Sequence, residues 1–231
     1  MPFSRTQPEP RAVASLDAAL RSLGMRVGST RASREPADIE VTLASAVEQA
    51  LPRDYRLLGV IVAWLEEHHA RVNVPRLGRV VKRSAAGGPL VSAFWAAIGH
   101  WLGAQDTRWR ALERLYVGET LDLDDAEITA IQLKRAGADP RFAGPPLRVH
   151  AKLLRSRAAD VDTSEQLAAR HPLYRKRLEL GANYRADVWY ALERDPEATP
   201  AQIARKVGCA YETARSVAED FRLLQRSRSV A

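Results

Sequence analysis

The sequence predicts an all-α protein, and three observations carry that prediction. Apolar residues recur three and four positions apart along most of the 231 residues. No run of alternating β-branched residues is long enough to require a sheet. Hydrophobic residues make up 46% of the chain and charged residues 27%, as in a globular protein with a sizeable buried core. The longest apolar stretch, Leu57 to Leu65, is too short to span a membrane.

Helical periodicity predicts a helical body over residues 12–140. Four of the five tryptophans fall between residues 64 and 109, which favours a dense core over a base-stacking surface. We expect this body to supply dimer or partner contacts. Its apolar stripes run through residues 16–23, 39–47, 57–68, 73–81, 90–102 and 109–116, and an acidic helix start follows at 122–127.

Three local features add to this prediction: a tail before the body, a linker at its end and a single cysteine. Residues 1–11 contain three prolines and no apolar core, so they predict a flexible tail rather than a secretory signal. The single cysteine, Cys209, excludes a disulfide framework and favours a reducing, cytoplasmic compartment. Prolines and glycine over 139–146 predict a linker.

Residues 141–184 predict a basic connector. They hold nine basic and four acidic residues, which is most of the net charge of +7, and 30 of the 35 basic residues in the chain are arginine. Arginine pairs bidentately with phosphate or carboxylate, so the segment indicates an anionic partner, although a solvated helix face is the alternative. The candidate phosphate contacts are Arg148, Lys152 and Arg155, with Arg157 on one predicted helical face, and Arg175 and Lys176 beside Arg177.

Residues 185–231 predict three short helices with well-marked ends. The first stops at Asp195-Pro196, where proline opposes a longer helix. The second begins at Thr199, whose side chain forms a capping box with Gln202, and ends at Gly208, which tolerates the left-handed conformation. The third begins near Tyr211 and runs to about residue 226.

This C-terminal segment resembles the helix-turn-helix domain of bacterial transcription regulators. The resemblance rests on the small Ala204 four residues before Gly208, and on apolar residues at the spacings that bury the angle between two helices. Those residues are Ile203, Val207, Cys209, Ala214 and Val217. The resemblance implies that the third helix enters the major groove of duplex DNA. It then places base-edge contacts at Tyr211, Thr213, Arg215 and Ser216, and phosphate contacts at Thr199, Gln202 and Arg205.

The predicted domain has no obvious wing. Only residues 227–231 follow the third helix, too few for a basic β-hairpin. We therefore expect a homodimer that reads a symmetric duplex site, or help from the basic connector. Proteins of this layout include transcription regulators, among them antitoxins and regulators of defence operons.

The sequence leaves two other functions open. The C-terminal helices suit a docking module in an accessory protein of a multi-protein system, for example a defence system, with no DNA affinity. In addition, Gly28-Ser29 followed by Asp38 and Glu40 resembles the active-site strand of nucleotidyltransferases, in which two carboxylates bind a divalent metal. However, Ile39 continues naturally into a helix, which makes Asp38 a helix cap. We predict no enzyme activity, no catalytic residue, no cofactor and no metal site.

Overall fold

The protein is all-α, as predicted. A computed structural model describes residues 15–28, 35–51, 54–84 and 88–228; the predicted tail over 1–11 and Ser29 lie outside the described residues. The α-helices are α1 Leu16–Ser22, α2 Ile39–Ala50, α3 Tyr55–His68, α4 Val74–Arg83, α5 Gly88–Gly103, α6 Ala126–Ala136, α7 Ser164–Arg170, α8 Pro172–Leu180, α9 Tyr184–Arg194, α10 Pro200–Val207 and α11 Tyr211–Arg228.

Short 3-10 helices and one pair of strands complete the described secondary structure. The predicted helix over 109–116 is a 3-10 helix, and other 3-10 turns are shorter. The 3-10 segments are His69–Arg71, Thr107–Leu115, Pro140–Phe142 and Ala158–Asp160. Strands β1 (Leu121–Asp122) and β2 (Leu147–Arg148) pair in parallel, with Leu121 opposite Leu147.

Side-chain caps fix where the helices of the body begin. Asp38 accepts a hydrogen bond from the amide of Val41 at 3.0 Å, and Asp54 accepts one from the amide of Leu57 at 2.9 Å. Asn73 caps α4, which has proline in its first turn. These caps satisfy amide groups that would otherwise lack partners at each helix start.

The first apolar core gathers α1 to α5 around three fully buried tryptophans. Trp64, Trp95 and Trp109 are each 0% exposed, and the Trp64 indole donates to the carbonyl of Leu23 at 2.7 Å. Trp101 packs, partly buried, against the margin of the same core. These tryptophans therefore act as packing residues, as their clustering predicts.

Residues 141–184 join this first core. They contribute Leu147, Val149, Leu154, Leu167 and Tyr174, and Phe142 of the predicted linker is buried as well. The prediction that Arg148, Lys152, Arg155 and Arg157 share one face of a helix is wrong, because the chain there forms β2 and a series of turns. Backbone pairing with β1 and a bridge from Ala138 to His150 hold this stretch in place instead.

A second apolar core is confined to residues 188–221. It is formed by α9, α10 and α11, and we call these three helices the C-terminal bundle. Trp189 of α9 meets Phe221 of α11 edge-on, with ring centroids 5.2 Å apart. The bundle therefore has its own core beside that of the body.

Candidate nucleic-acid interface

The connection from α10 to α11 has the geometry that the capping pattern predicts. The amide of Gln202 donates to Thr199 Oγ1 at 3.3 Å, and the amide of Thr199 donates to Gln202 Oε1 at 2.8 Å. Gly208 follows α10 with φ of 77°, and its amide donates to the carbonyl of Ala204 at 2.8 Å. An L-residue resists this conformation, so glycine ends α10 and turns the chain into α11.

Small and branched apolar residues bury the angle between α10 and α11. Ile203, Ala204 and Val207 are buried on α10, and Ala214 and Val217 are buried on α11. Cys209 in the turn is half-buried and unpaired, and burial raises the pKa of its thiol. A short turn and a close helix crossing therefore fix α11 on the bundle.

The leading face of α11 is open within the part of the chain that the structure describes. Tyr211 is 51% exposed, the side chain of Arg215 is 53% exposed, and Ser216 is exposed. Thr213 is half-buried. Three of the four predicted base-edge residues thus face solvent together, over the first two turns of α11.

Two acidic side chains flank the guanidinium of Arg215. Its Nε lies 3.2 Å from Glu212 Oε2, and its Nη1 lies 3.5 Å from Glu219 Oε1. All three side chains are more than half exposed. Ion pairs of this kind within one helix contribute only a few tenths of a kcal/mol, about 0.2–0.5 per pair, so an anionic ligand competes with them readily.

The phosphate candidates of α10 lie on one exposed side of the bundle. Thr199, Gln202 and Arg205 are all exposed. Thr199 and Gln202 are also engaged in the capping box, and Arg205 Nε donates to the carbonyl of Ala201 at 3.3 Å. The start of α10 therefore presents Thr199 and Gln202 beside the helix N-terminus, which favours anions, and Arg205 lies in the last turn of the helix.

The phosphate candidates of the basic segment are divided between two places. Arg148 pairs with Asp122 of β1 at 2.6 Å, and the backbone of Arg155 lies against Gly59 of α3. Lys152 is exposed in the turns after β2. The structure therefore sets these three residues on the body, with their chain packed against β1 and α3.

The second basic group lies on α8, next to α9. Arg175 is exposed, whereas Lys176 bonds Glu179 at 2.7 Å and Glu193 of α9 at 2.8 Å. The side chain of Arg177 is 0% exposed, so it does not belong to the surface cluster that the sequence indicates. A helix separates adjacent residues by about 100°, which turns Arg177 inward while Arg175 faces solvent.

Arg177 is the centre of a buried ionic network between the body and the C-terminal bundle. Its Nη1 and Nη2 donate to the two carboxylate oxygens of Glu40 at 2.6 and 2.9 Å, and its Nε donates to Asp187 Oδ1 at 2.8 Å. Asn73 donates to Asp187 Oδ2 at 2.8 Å. Because Glu40 belongs to α2 and Asp187 to α9, this network joins the two cores.

Two further arginines fix the turn of the bundle to the body. Arg76 of α4 bonds both Asp38 and Glu40, and its Nε donates to the carbonyl of Val207 at 2.9 Å. Arg79, one turn further along α4, donates to the carbonyl of Gly208 at 2.9 Å. These bonds satisfy carbonyl groups at the end of α10, where positive charge is also favoured by the helix dipole.

The pKa values of the two buried carboxylates of the network shift in opposite directions. Burial raises the pKa of Glu40, but the charges of Arg177 and Arg76 outweigh that effect and the net pKa is lowered. Burial also raises the pKa of Asp187; the charge of Glu40 adds to the rise, and the bonds from Arg177 and Asn73 do not cancel it. Glu40 is therefore the firmly ionised partner of the arginines.

Asp38 and Glu40 do not lie on a strand. Asp38 caps α2, and Glu40 lies in its first turn, fully buried against arginine. The strand that a nucleotidyltransferase site requires is absent at these residues, because the helix cap competes for the same positions. No three His, Cys, Asp or Glu side chains among the described residues gather as ligands for a metal ion.

A cavity of about 530 Å³ opens beside the ionic network. The body lines it with Asp38, Arg76 and Leu173, and the bundle lines it with Tyr190, Arg194 and Lys206, among others. Its walls thus carry charges of both signs, which selects no single class of ligand.

Comparison of the chain with protein-family models, with curated proteins and with solved structures finds no match. Over the ranges that the structure describes, no helix has both the length and the apolar character that crossing a membrane requires.

Proposed function

We propose that this protein binds duplex DNA and regulates transcription, with α11 entering the major groove. The observation that carries the proposal is the open leading face of α11, held on a bundle whose turn is bonded to the body. A reading helix must be exposed and must keep a fixed orientation, and these two conditions are met together here. The proposal places the protein in the cytoplasm, where its duplex ligand lies.

Arg215 is the principal base-reading residue in this proposal. A guanidinium meets guanine O6 and N7 together, and the exposed side chain of Arg215 exchanges Glu212 and Glu219 for that contact. Tyr211 and Ser216 stand on either side of it along the open face, and Thr213 contacts a thymine methyl group or a phosphate. Each matched bidentate pair discriminates by about 1–3 kcal/mol.

Phosphate contacts come from the start of α10 and from cations around the bundle. Thr199, Gln202 and Arg205 flank the groove on one side, and Arg175 on α8 lies in the neighbouring element. With about four phosphate contacts, the affinity falls roughly 100-fold between about 50 and 200 mM salt. A homodimer reading a symmetric site fits this modest number of contacts per copy.

Fluorescence anisotropy with labelled duplexes tests the proposal at two salt concentrations. A duplex selected from a random pool is compared with a duplex of scrambled sequence. Arg215→Ala should weaken binding to the selected duplex by about 10-fold or more and leave the scrambled duplex nearly unchanged. Arg135→Ala removes an exposed arginine from α6 of the body and serves as the matched control.

Two outcomes contradict the proposal. One is the absence of salt-dependent affinity for any duplex. The other is an equal loss of affinity for both duplexes in Arg215→Ala, because it would remove α11 as the reading helix.

A second candidate function is protein docking by an accessory protein, and α6 favours it. Ile128 and Ile131, one turn apart on this helix, are 48% and 50% exposed. Exposed apolar residues that lie together are typical of interaction surfaces. Under this alternative, the anisotropy titration shows no specific duplex, and Arg215→Ala changes nothing.

A further inference from the structure

The C-terminal half of α11 extends beyond the core of the bundle. Phe221 is the last residue of α11 in that core, yet the helix continues to residue 228. The two leucines that follow, Leu223 and Leu224, are 60% and 46% exposed. We call residues 219–227 the α11 arm. Leu223 lies on the side of α11 opposite Phe221, and at such exposure the two leucines leave an apolar strip open to solvent among the described residues.

The arm carries opposite charges at its two ends, along one edge of its leucines. At about 100° per residue, Leu223 and Leu224 flank a face that also holds Asp220 and Ser227. Glu219 and Arg226 are seven residues apart and share the edge next to Leu223. Asp220 is paired with Arg185 of α9 at 2.8 Å, so this face does not carry a free carboxylate there. Glu219 lies 3.5 Å from Arg215 on its own helix, and a second cation competes readily with this exposed contact.

We propose that the α11 arm pairs antiparallel with the α11 arm of a second copy of this chain. A two-fold axis near Leu223 stacks the leucines of the two copies against each other. The same axis places Glu219 of each copy beside Arg226 of the other, so two ion pairs form symmetrically. The arm is therefore complementary to itself, as a two-fold interface requires, and this favours a second copy over an unrelated partner.

This pairing also sets the distance between the two reading faces, and that consequence rests on the proposed function. Residues 211–216 are centred about nine residues from the axis, so at 1.5 Å per residue the two centres lie roughly 30 Å apart. Successive major grooves on one side of a duplex recur at about 34 Å. The dimer thus presents both α11 helices to adjacent half-sites one helical turn apart.

Sedimentation velocity on the full chain tests the pairing without DNA. The wild type should sediment as a dimer at roughly 10 µM, and Leu223→Asp with Leu224→Asp should weaken dimerisation roughly 100-fold while the far-ultraviolet circular dichroism stays unchanged. Leu178→Asp, which changes a leucine that is 40% exposed on α8, is the matched control and should stay dimeric.

A charge exchange supplies a second, independent test. Glu219→Arg sets arginine against arginine across the axis, and Arg226→Glu sets glutamate against glutamate, so each variant alone should be mostly monomeric. An equimolar mixture restores both ion pairs and should sediment as a heterodimer. A monomeric wild type, a dimer that survives both leucine substitutions, or a mixture that stays monomeric overturns the proposal.

Failure of this pairing and failure of the proposed function are distinguishable. If the protein dimerises through the arm but binds no duplex, the DNA proposal alone fails. If it binds duplexes while remaining monomeric, the arm pairing alone fails. When both hold, the leucine variant should still bind a single half-site and should lose the added affinity for two half-sites.

Discussion

Replacing Arg177 with methionine should destabilise the protein more than any other single change to the ionic network. Arg177 donates to Glu40 and Asp187, whose side chains are 0% and 4% exposed. Methionine fills a similar volume but leaves two buried carboxylates without their main partner. Breaking a buried pair in this way typically costs about 3–5 kcal/mol, several times the contribution of an exposed pair.

Urea unfolding, monitored by circular dichroism, measures this loss as a change in the free energy of unfolding. Arg175→Met, two residues away on the exposed side of α8, is the matched control and should change stability by less than about 0.5 kcal/mol. Adding Glu40→Gln and Asp187→Asn to Arg177→Met should recover part of the loss, because neither buried side chain then carries a negative charge that lacks the Arg177 partner. Equal stability of the Arg177→Met and Arg175→Met variants would show that Arg177 does not stabilise the buried carboxylates.

Three further predictions concern pH, capping and charge. Burial lowers the pKa of His171 to about 4 from 6.5, so its stabilising contribution is complete above 6.5 and is lost as pH falls toward 4. Wild-type stability should drop by about 2 kcal/mol more than that of His171→Gln between about pH 7 and pH 5, and parallel curves would contradict this. Thr199→Ala removes the α10 cap and should lower the free energy of unfolding in urea by about 1 kcal/mol. Thr163→Ala removes the matching cap of α7 and should have a similar effect. Unchanged stability in both variants would contradict the role of these caps. Glu212→Gln frees Arg215 and removes a charge that repels phosphate, so anisotropy should show a few-fold tighter duplex binding; weaker binding would place Glu212 in a base contact.

The local signals of the sequence predict the C-terminal bundle well. The capping box at Thr199, the glycine at 208 and the helix start near Tyr211 all appear in the structure at those residues. Each depends on neighbours within four residues, so a single sequence contains the whole cause. The exposure of Tyr211 and Arg215 follows from the same local periodicity.

The ionic network could not be predicted in this way. Glu40 and Arg177 are 137 residues apart, and nothing local marks either as buried. Arg177 stands among basic neighbours in the sequence, which favours a surface cluster. Its inward orientation depends on bonds to Glu40 of α2 and Asp187 of α9, which are distant in the sequence or on another helix. The turns over 148–157 could not be predicted for a similar reason. Backbone pairing with β1 determines the structure of this segment, although its basic residues have helical spacing.

Hydrogen–deuterium exchange measured by mass spectrometry, with and without a selected duplex, decides whether DNA lies on α10 and α11. Amides exchange more slowly where a ligand covers the surface or restrains local opening. Bound DNA should slow exchange in peptides covering residues 199–216 and leave peptides of α3 and α5 unchanged. Slower exchange confined to the body, with residues 199–216 unaffected by bound duplex, would contradict this placement of DNA.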